Sequence, residues 1–184
     1  MRERLLDAAE KMAQDRGLHA ISFQSLADAV GLRKPSVFHH FPNKEAIVEA
    51  LLQRCQVHYT QLYQPIVESK ASALEKLRAI ARAFEAGLKE DRLCLLGTLA
   101  SGRDGLSEAS RNDLQQRTEA TLTRYASVFR QGREEGSLRF AGSPEAAATV
   151  FLSLMQGLQV LERSRKRQNG FRKAADSYLR SLTP

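Results

Sequence analysis

The fold is decided by a stretch near the N-terminus, Ala20 to Glu45, which reads AISFQSLADAVGLRKPSVFHHFPNKE. Within it, Ser22 has a side chain suited to cap the N-terminus of a short helix. That helix is predicted to continue to Val30, with apolar residues turned inward at helical spacing. Gly31 then ends it, because glycine readily adopts the left-handed conformation that closes helices.

A second short helix follows after a tight turn. Pro35 suits the first turn of this helix, where the missing N–H costs nothing, and Phe41 followed by Pro42 marks its end. A supporting helix from Arg2 to Arg16 is predicted before both, with Gly17 as its stop. Two short helices joined by a glycine-containing turn have the dimensions of a helix-turn-helix.

Helical periodicity continues through the rest of the chain. Leu and Ala are frequent, whereas Gly and Pro total only 16 residues (11 and 5), which favours long helices. We therefore predict an all-α fold of about nine helices. After the first three, the predicted helices are Lys44–Ile66 as a connecting rod, a helix marked by Leu74 to Leu88, Leu93–Ser101, Ser107–Glu135, Pro144–Arg167 and Phe171–Leu182.

Composition limits the possible functions without choosing among them. The net charge is +7, yet residues 1–50 hold seven Lys/Arg and seven Asp/Glu, so the excess positive charge lies late in the chain. We expect a cytoplasmic protein because no leader or membrane-spanning run is apparent. Cys55 and Cys94 are far apart and lack a metal-type spacing, so we expect neither a disulfide nor zinc, and no cofactor.

The detail of the N-terminal stretch resembles the head of the TetR family of bacterial repressors. The resemblance covers about the first 50 residues. It is carried by residues between Ala20 and Phe41 and by the Lys-Glu pair at Lys44 and Glu45. The matching residues are Ala20, Ser22, Leu26, Ala27, Ala29, Val30, Gly31, Leu32, Lys34, Ser36, Val37, Phe38, His39, His40 and Phe41.

This resemblance implies that the Pro35–Phe41 helix enters the major groove of DNA. Long cationic side chains at its start can reach guanine or phosphate oxygens, and short polar side chains suit phosphates. The predicted DNA-binding residues are Ser22, Gln24, Arg33, Lys34, Pro35, Ser36, His39, His40 and Lys44.

Two residues depart from the family pattern. Arg33 stands where Ser is common, which removes a helix cap and adds a charge. Phe38 replaces the usual Tyr, whose hydroxyl contacts phosphate. We expect Phe38 and Phe41 to pack in the core of the head rather than to contact DNA.

The remainder of the chain resembles the family more weakly, with one sharper element from Leu93 to Ala100. This segment is similar to the Cys-Leu-Leu-Gly-Asn-Leu-Ala segment of a TetR subgroup that includes sensors of aldehydes and electrophiles, although Thr98 replaces Asn. Cys94 is either an inert apolar residue or a reactive thiol whose pKa Lys89 and Arg92 would lower. Both interpretations stay open.

The resemblance also implies a ligand-binding and dimerising body over residues 46–184, joined to a DNA-binding head over residues 1–45. Apolar residues with predicted inward positions are candidates to line the ligand pocket. The predicted pocket residues are Leu62, Phe84, Leu88, Cys94, Leu95, Tyr125 and Phe151. The Pro144–Arg167 helix is apolar on most sides, which predicts a partner face. The predicted dimer-interface residues are Val150, Leu154, Leu158, Leu161, Phe171 and Tyr178.

These features predict a ligand-responsive repressor that binds a palindromic operator on double-stranded DNA as a homodimer and is released by a small-molecule inducer. Two alternatives are a constitutive DNA-binding regulator whose body serves only for dimerisation, and a helical partner-binding module with a vestigial head. No phosphate loop, nucleophile elbow or zinc-protease motif is present in the sequence, so we expect no enzymatic activity. Because no apolar run is long enough to span a membrane, we also expect no membrane partner.

Overall fold

A computed structural model describes residues 1–165 and 170–184, and the described residues form helices and turns without any β-strand. This confirms the all-α prediction. The helices are α1 (Arg2–Arg16), α2 (Phe23–Val30), α3 (Lys34–His40), α4 (Lys44–His58), α5 (Gln64–Glu68), α6 (Ala73–Lys89), α7 (Leu95–Ser101), α8 (Glu108–Glu134), α9 (Pro144–Arg165) and α10 (Gly170–Ser181).

The chain divides into two compact units. The first contains residues 1–57 and 95–117, and the second contains residues 58–94 and 118–184. The first unit is larger than the predicted head of residues 1–45, because residues 47–52 of α4 share its apolar core, as do Leu95, Leu99, Leu106 and Leu114. The assignment of DNA binding and ligand binding to separate parts of the chain stays a prediction.

The helix-turn-helix is formed by local signals that the sequence displays. The Ser22 hydroxyl accepts a hydrogen bond from the Ser25 N–H at 3.0 Å, and the Ser25 hydroxyl in turn accepts from the Ser22 N–H at 2.9 Å. Gly31 ends α2 with a φ of 72°, a backbone conformation that costs glycine nothing but strains other residues. The predicted boundaries of α2 and α3 are confirmed to within a residue or two.

An arginine near the end of α4 fastens that helix to α1 in the first unit. The Arg54 guanidinium donates to Asp7 at 2.6 Å and to Glu10 at 3.0 Å through one nitrogen, and to Glu3 at 2.8 Å through another. Glu3 and Asp7 are exposed, but the side chains of Glu10 and Arg54 are only 10% and 14% exposed. Burial alone would lower the pKa of Arg54, yet the hydrogen bonds to Asp7 and Glu10 raise it, so the charge is permanent.

A second polar contact joins the starts of two helices in the same unit. Asn43 caps α4 by accepting the Ala46 N–H at 2.8 Å. The neighbouring Glu45 carboxylate accepts hydrogen bonds from the hydroxyls of Ser107 and Ser110 at the start of α8. Because Ser110 is buried, this contact fixes where α8 begins against α4.

The predicted continuous rod from Lys44 to Ile66 is wrong in one respect. Helix α4 ends at His58 and is followed by a π-helical turn over Tyr59–Tyr63, in which the Gln64 N–H donates to the Tyr59 carbonyl. A π-helical turn contains one more residue than an α-helical turn, yet apolar residues still lie along one side of the helix. Apolar periodicity in the sequence therefore did not reveal the π-helical turn.

The second unit has its own core, built mainly from α6, α8, α9 and α10. Its centre consists of aromatic rings: Phe129 and Tyr125 each lie edge-on to Phe151, with centroids 6.0 and 5.9 Å apart. Ser143 caps α9 by accepting the Ala146 N–H at 3.1 Å. The predicted end of this helix at Arg167 lies outside the described residues.

Three further features concern residues 1–165 and 170–184. No helix there is long and apolar enough to cross a membrane. No group of three or more His, Cys, Asp or Glu side chains in the same residues is arranged to hold a metal ion. Neither Cys55 nor Cys94 forms a disulfide there.

Replacing Arg54 with alanine is predicted to lower the free energy of unfolding by about 3 kcal/mol, because the Glu10 carboxylate stays buried without its cation. Urea unfolding at neutral pH, followed by far-UV circular dichroism, measures this loss. As a control, Glu3→Ala removes only an exposed partner and should cost less than about 1 kcal/mol. Equal losses for the two variants would show that Arg54 acts as a surface residue.

Candidate functional site

The nine predicted DNA-binding residues all lie in or beside the α2–turn–α3 segment or at the start of α4. Eight of them are exposed and His40 is half-buried. The rings of His39 and His40 are edge-on, with centroids 5.4 Å apart. The structure therefore presents these residues on the surface of the first unit, while their contact with DNA stays a prediction.

Three cations on this surface are available for a partner. Arg33 is the N-cap residue of α3 but makes no side-chain capping bond, as the sequence predicted. In the described part of the chain, Arg33, Lys34 and Lys44 form no ion pair with a carboxylate. Unpaired cations at a helix entrance can bind phosphate or base oxygens without first breaking an internal bond.

The two polar residues of α2 are partly engaged within the protein. The Ser22 hydroxyl is committed to the capping box with Ser25. The Gln24 amide donates to the Asp28 carboxylate one turn later at 2.7 Å. A base contact by Gln24 would therefore replace an exposed intramolecular hydrogen bond, which costs little.

Phe38 within α3 and Phe41 at its C-terminal end differ in how far they are exposed to solvent. Phe41 is 1% exposed and belongs to the core, as predicted. The same prediction is wrong for Phe38, which is 44% exposed and stacks on Phe23 with ring centroids 4.1 Å apart. The core of so small a unit accommodates Phe41 and Val37, and Phe38 is left on the outer side of α3, where Lys34 Nζ lies 5.9 Å from its ring centroid.

In the second unit, the structure brings together five of the predicted pocket residues. Phe84, Tyr125 and Phe151 are buried in its core, and Leu88 and Cys94 pack against that core. Two predictions are wrong. Leu62 is 50% exposed because the π-helical turn directs it outward. Leu95 is buried in the core of the first unit, because the chain passes from one unit to the other between Cys94 and Leu95.

Two tyrosines on the π-helical turn join this group, and the sequence analysis missed both. Tyr59 and Tyr63 stack with centroids 6.2 Å apart, and the Tyr63 ring lies 5.6 Å from that of Phe84. Burial raises the pKa of Tyr63, and the nearby Cys94 raises it further while Arg92 opposes the rise. We call Tyr59, Tyr63, Cys94 and Tyr125 the tyrosine cluster.

Two glutamines of α9 contact the same region. The buried Gln159 accepts the Cys94 N–H at 2.7 Å and donates to the Phe84 carbonyl at 2.9 Å. The Gln156 amide donates to the Cys94 sulfur at 3.6 Å. Gln159 thus holds the backbone at Cys94 against α6, and Gln156 contacts the thiol itself.

The two cations proposed to activate Cys94 each have a carboxylate partner. Arg92 pairs with Glu90, and Lys89 lies 3.4 Å from Glu85. The choice between a reactive and an inert Cys94 gains no support from these side chains, and a reactive thiol stays a prediction.

An exposed apolar stripe runs along α9. Val150 and Leu161 are 54% and 57% exposed, and Leu154 between them is half-buried. Two predicted interface residues are corrected, because Leu158 and Phe171 are buried in the core of their own unit. Val160 is also 57% exposed, but it lies about 100° round the helix from Leu161. We call Val150, Leu154 and Leu161 the α9 face.

Tyr178 is half-buried and stacks on Phe151 with centroids 6.4 Å apart. Its place in a dimer interface stays a prediction.

Comparison with known proteins gives two family matches that together span most of the chain. Residues 5–51 match the family described as "Bacterial regulatory proteins, tetR family". Residues 73–178 match the family described as "Tetracyclin repressor-like, C-terminal domain". Among curated relatives, the transcriptional repressor KstR2 of Mycolicibacterium smegmatis is 31% identical over 140 residues, which are 75% of this chain and 67% of the relative.

Solved structures show the same fold. A TetR-family regulator from Agrobacterium tumefaciens is 22% identical and superposes with a TM-score of 0.92, over 100% of this chain and 97% of that one. The structure of AibR in complex with isovaleryl coenzyme A and operator DNA is also 22% identical, with a TM-score of 0.80 over 100% and 98% of the two chains.

Proposed function

The chain belongs to the TetR family of bacterial transcriptional regulators, and on that premise we propose that it represses transcription by binding a palindromic operator as a homodimer, which a small-molecule inducer releases. The family consists of regulators rather than enzymes. The observation that carries the proposal is the exposed entrance of α3, where Arg33 and Lys34 have no carboxylate partner in the described residues.

DNA binding follows from the chemistry of that entrance. An α-helix fits the major groove, and an arginine or lysine at its start can donate to guanine O6 and N7 or to a phosphate. His39, His40 and Ser36 are further donors on the same short helix. Phe38, exposed and lacking a hydroxyl, offers an apolar contact suited to a thymine methyl group. AibR, which has this fold, has been solved on operator DNA.

Replacing Arg33 and Lys34 together with alanine is predicted to abolish specific DNA binding, because each lost base contact costs about 1–3 kcal/mol. Fluorescence anisotropy measures the affinity for a labelled palindrome that the wild-type protein has first selected from a random DNA library. The control is Arg78→Ala with Arg82→Ala, which removes the same charge from exposed positions of α6. If the Arg33 and Lys34 variant binds the palindrome as tightly as the Arg78 and Arg82 control does, α3 is not the recognition helix.

Dimerisation is supported by the α9 face. Exposed Val150 and Leu161 with the half-buried Leu154 between them on one side of a helix favour a protein partner. Two recognition helices read successive major grooves when they lie about 34 Å apart, which requires two copies related by a two-fold axis. A second copy of this chain is the partner that satisfies both requirements.

Leu161→Arg is predicted to convert the dimer to a monomer, because it places a charge in the proposed apolar interface without disturbing the protomer core. Sedimentation at micromolar concentration measures the assembly state. Ser127→Arg adds the same charge at an exposed position of α8 and should remain dimeric. A wild-type protein that sediments as a monomer would remove this part of the proposal.

Release by an inducer separates this proposal from the alternative of a constitutive regulator. We expect at least one member of a panel of aldehydes, quinones and apolar drugs to weaken operator binding more than about threefold, in line with allosteric couplings of about 1–3 kcal/mol. Repeating the titration with Cys94→Ser tests the reactive thiol, since unchanged release by every effective electrophile rejects covalent sensing. If no compound reaches threefold, constitutive DNA binding becomes the better description.

A further inference from the structure

We propose that the stacked rings of Phe23 and Phe38 select operator sequences by reading the C5 methyl group of one thymine in each half-site. Phe38 is the specificity-determining residue, which contacts the methyl group in the major groove. Phe23 is a positioning residue, which holds the Phe38 ring in place. The inference rests on the proposed function, because it names the feature of the operator that this surface selects.

The Phe38 ring is exposed to solvent but supported from one side. It belongs to α3 and is 44% exposed. The ring of Phe23, the first residue of α2, lies 4.1 Å away between centroids and is tilted by only 12°. Phe23 is itself half-buried and packs against the core of the first unit. One face of the Phe38 ring is therefore covered, and stacking restricts where its exposed part can lie.

Cations lie beside this ring on the exposed side of α3. Lys34 precedes Phe38 by one helical turn, and its Nζ is 5.9 Å from the ring centroid. Within the residues that the structure describes, neither Lys34 nor Arg33 pairs with a carboxylate. An apolar protein surface would leave these charges without partners when it covered the ring. In the major groove, phosphates border the base edges, so DNA satisfies the cations and the ring together.

The chemistry of a phenyl ring limits what Phe38 can recognise. The ring has no hydroxyl, so it neither donates to a phosphate oxygen nor distinguishes bases by their hydrogen bonds. The apolar group that bases present in the major groove is the C5 methyl of thymine, which phenylalanine contacts favourably. Burying one such methyl group strengthens binding about fourfold. Because a dimer reads two half-sites, losing both methyl groups should weaken binding by about tenfold or more.

The methyl group can be removed from DNA without changing a base pair. In the palindrome that the wild-type protein selects, each symmetric pair of thymines is replaced in turn with deoxyuridine. Fluorescence anisotropy then measures the affinity of the full-length protein for each duplex. At one symmetric pair the affinity should fall by about tenfold. If every deoxyuridine duplex binds as tightly as the thymine duplex, or if the selected palindrome contains no thymine, the proposal is overturned.

The dependence on Phe38 is tested with the same two duplexes. Phe38→Ala should bind the thymine and deoxyuridine duplexes equally, because the ring that contacts the methyl group is gone. His39→Ala, which changes an exposed neighbour on α3, should weaken binding to both duplexes and keep the difference of about tenfold between them. The ratio is taken within one variant, so a smaller folded fraction affects both duplexes alike. A tenfold difference that persists in Phe38→Ala would mean that the methyl group acts without Phe38, and the proposal would fail.

Phe23 is tested by changing the ring beneath Phe38. Phe23→Leu removes the stacked ring but keeps an apolar side chain against the core, and it should reduce the difference between the two duplexes to less than about threefold. Phe23→Tyr restores a ring at this position and should restore the difference of about tenfold. A purely structural role would lower the affinity for both duplexes without changing their ratio. An unchanged ratio in Phe23→Leu would therefore reject the positioning role.

The outcomes distinguish this inference from the proposed function. A wild-type protein that selects a palindrome, but binds its deoxyuridine forms with unchanged affinity, keeps the proposed function and rejects the reading of a methyl group. A wild-type protein that selects no palindrome rejects the proposed function itself, and the inference fails with it. A loss of affinity with deoxyuridine that disappears in Phe38→Ala and persists in His39→Ala supports both.

Discussion

The arrangement of the first unit depends on a largely buried cation whose side chain is 14% exposed. Arg54 of α4 contacts three carboxylates spaced along α1, and only one of them, Glu10, is itself buried. Removing the Arg54 and Glu10 charges from water is tolerable because they pair with each other. The hydrogen bonds to the exposed Glu3 and Asp7 further fix the orientation of the guanidinium. Since α2 and α3 pack into the core that α1 and α4 also line, the α1–α4 contact supports the position of α3 within this unit.

Local signals in the sequence predicted much of the fold and part of the site. Capping residues, prolines and glycines act over three or four positions, so Ser22, Gly31, Asn43 and Ser143 could be assigned from their neighbours alone. The cations at the start of α3 could be placed on the surface from the same local signals, because these signals locate the first turn of the helix and its exposed side.

Features that depend on packing could not be obtained in this way. Apolar periodicity marks Leu158 and Val160 alike, and only the neighbouring helices decide that the first is buried and the second exposed. Phe38 and Phe41 differ for the same reason. Tyr63 drew no attention in the sequence because it has apolar bulk and helical spacing, and its partners Phe84 and Cys94 are 21 and 31 positions further along the chain.

The π-helical turn carries a consequence for reading related chains. Such a turn is equivalent to an α-helix that has gained one residue, so chains of this fold can differ in length by one at Tyr59–Tyr63 and still keep a continuous helix. A comparison by sequence alone, without a gap at that point, would assign the position of Tyr63 to its neighbour in a relative with an unbroken α-helix. Residue roles transferred from one regulator to another through such a comparison would therefore be displaced by one position at this turn.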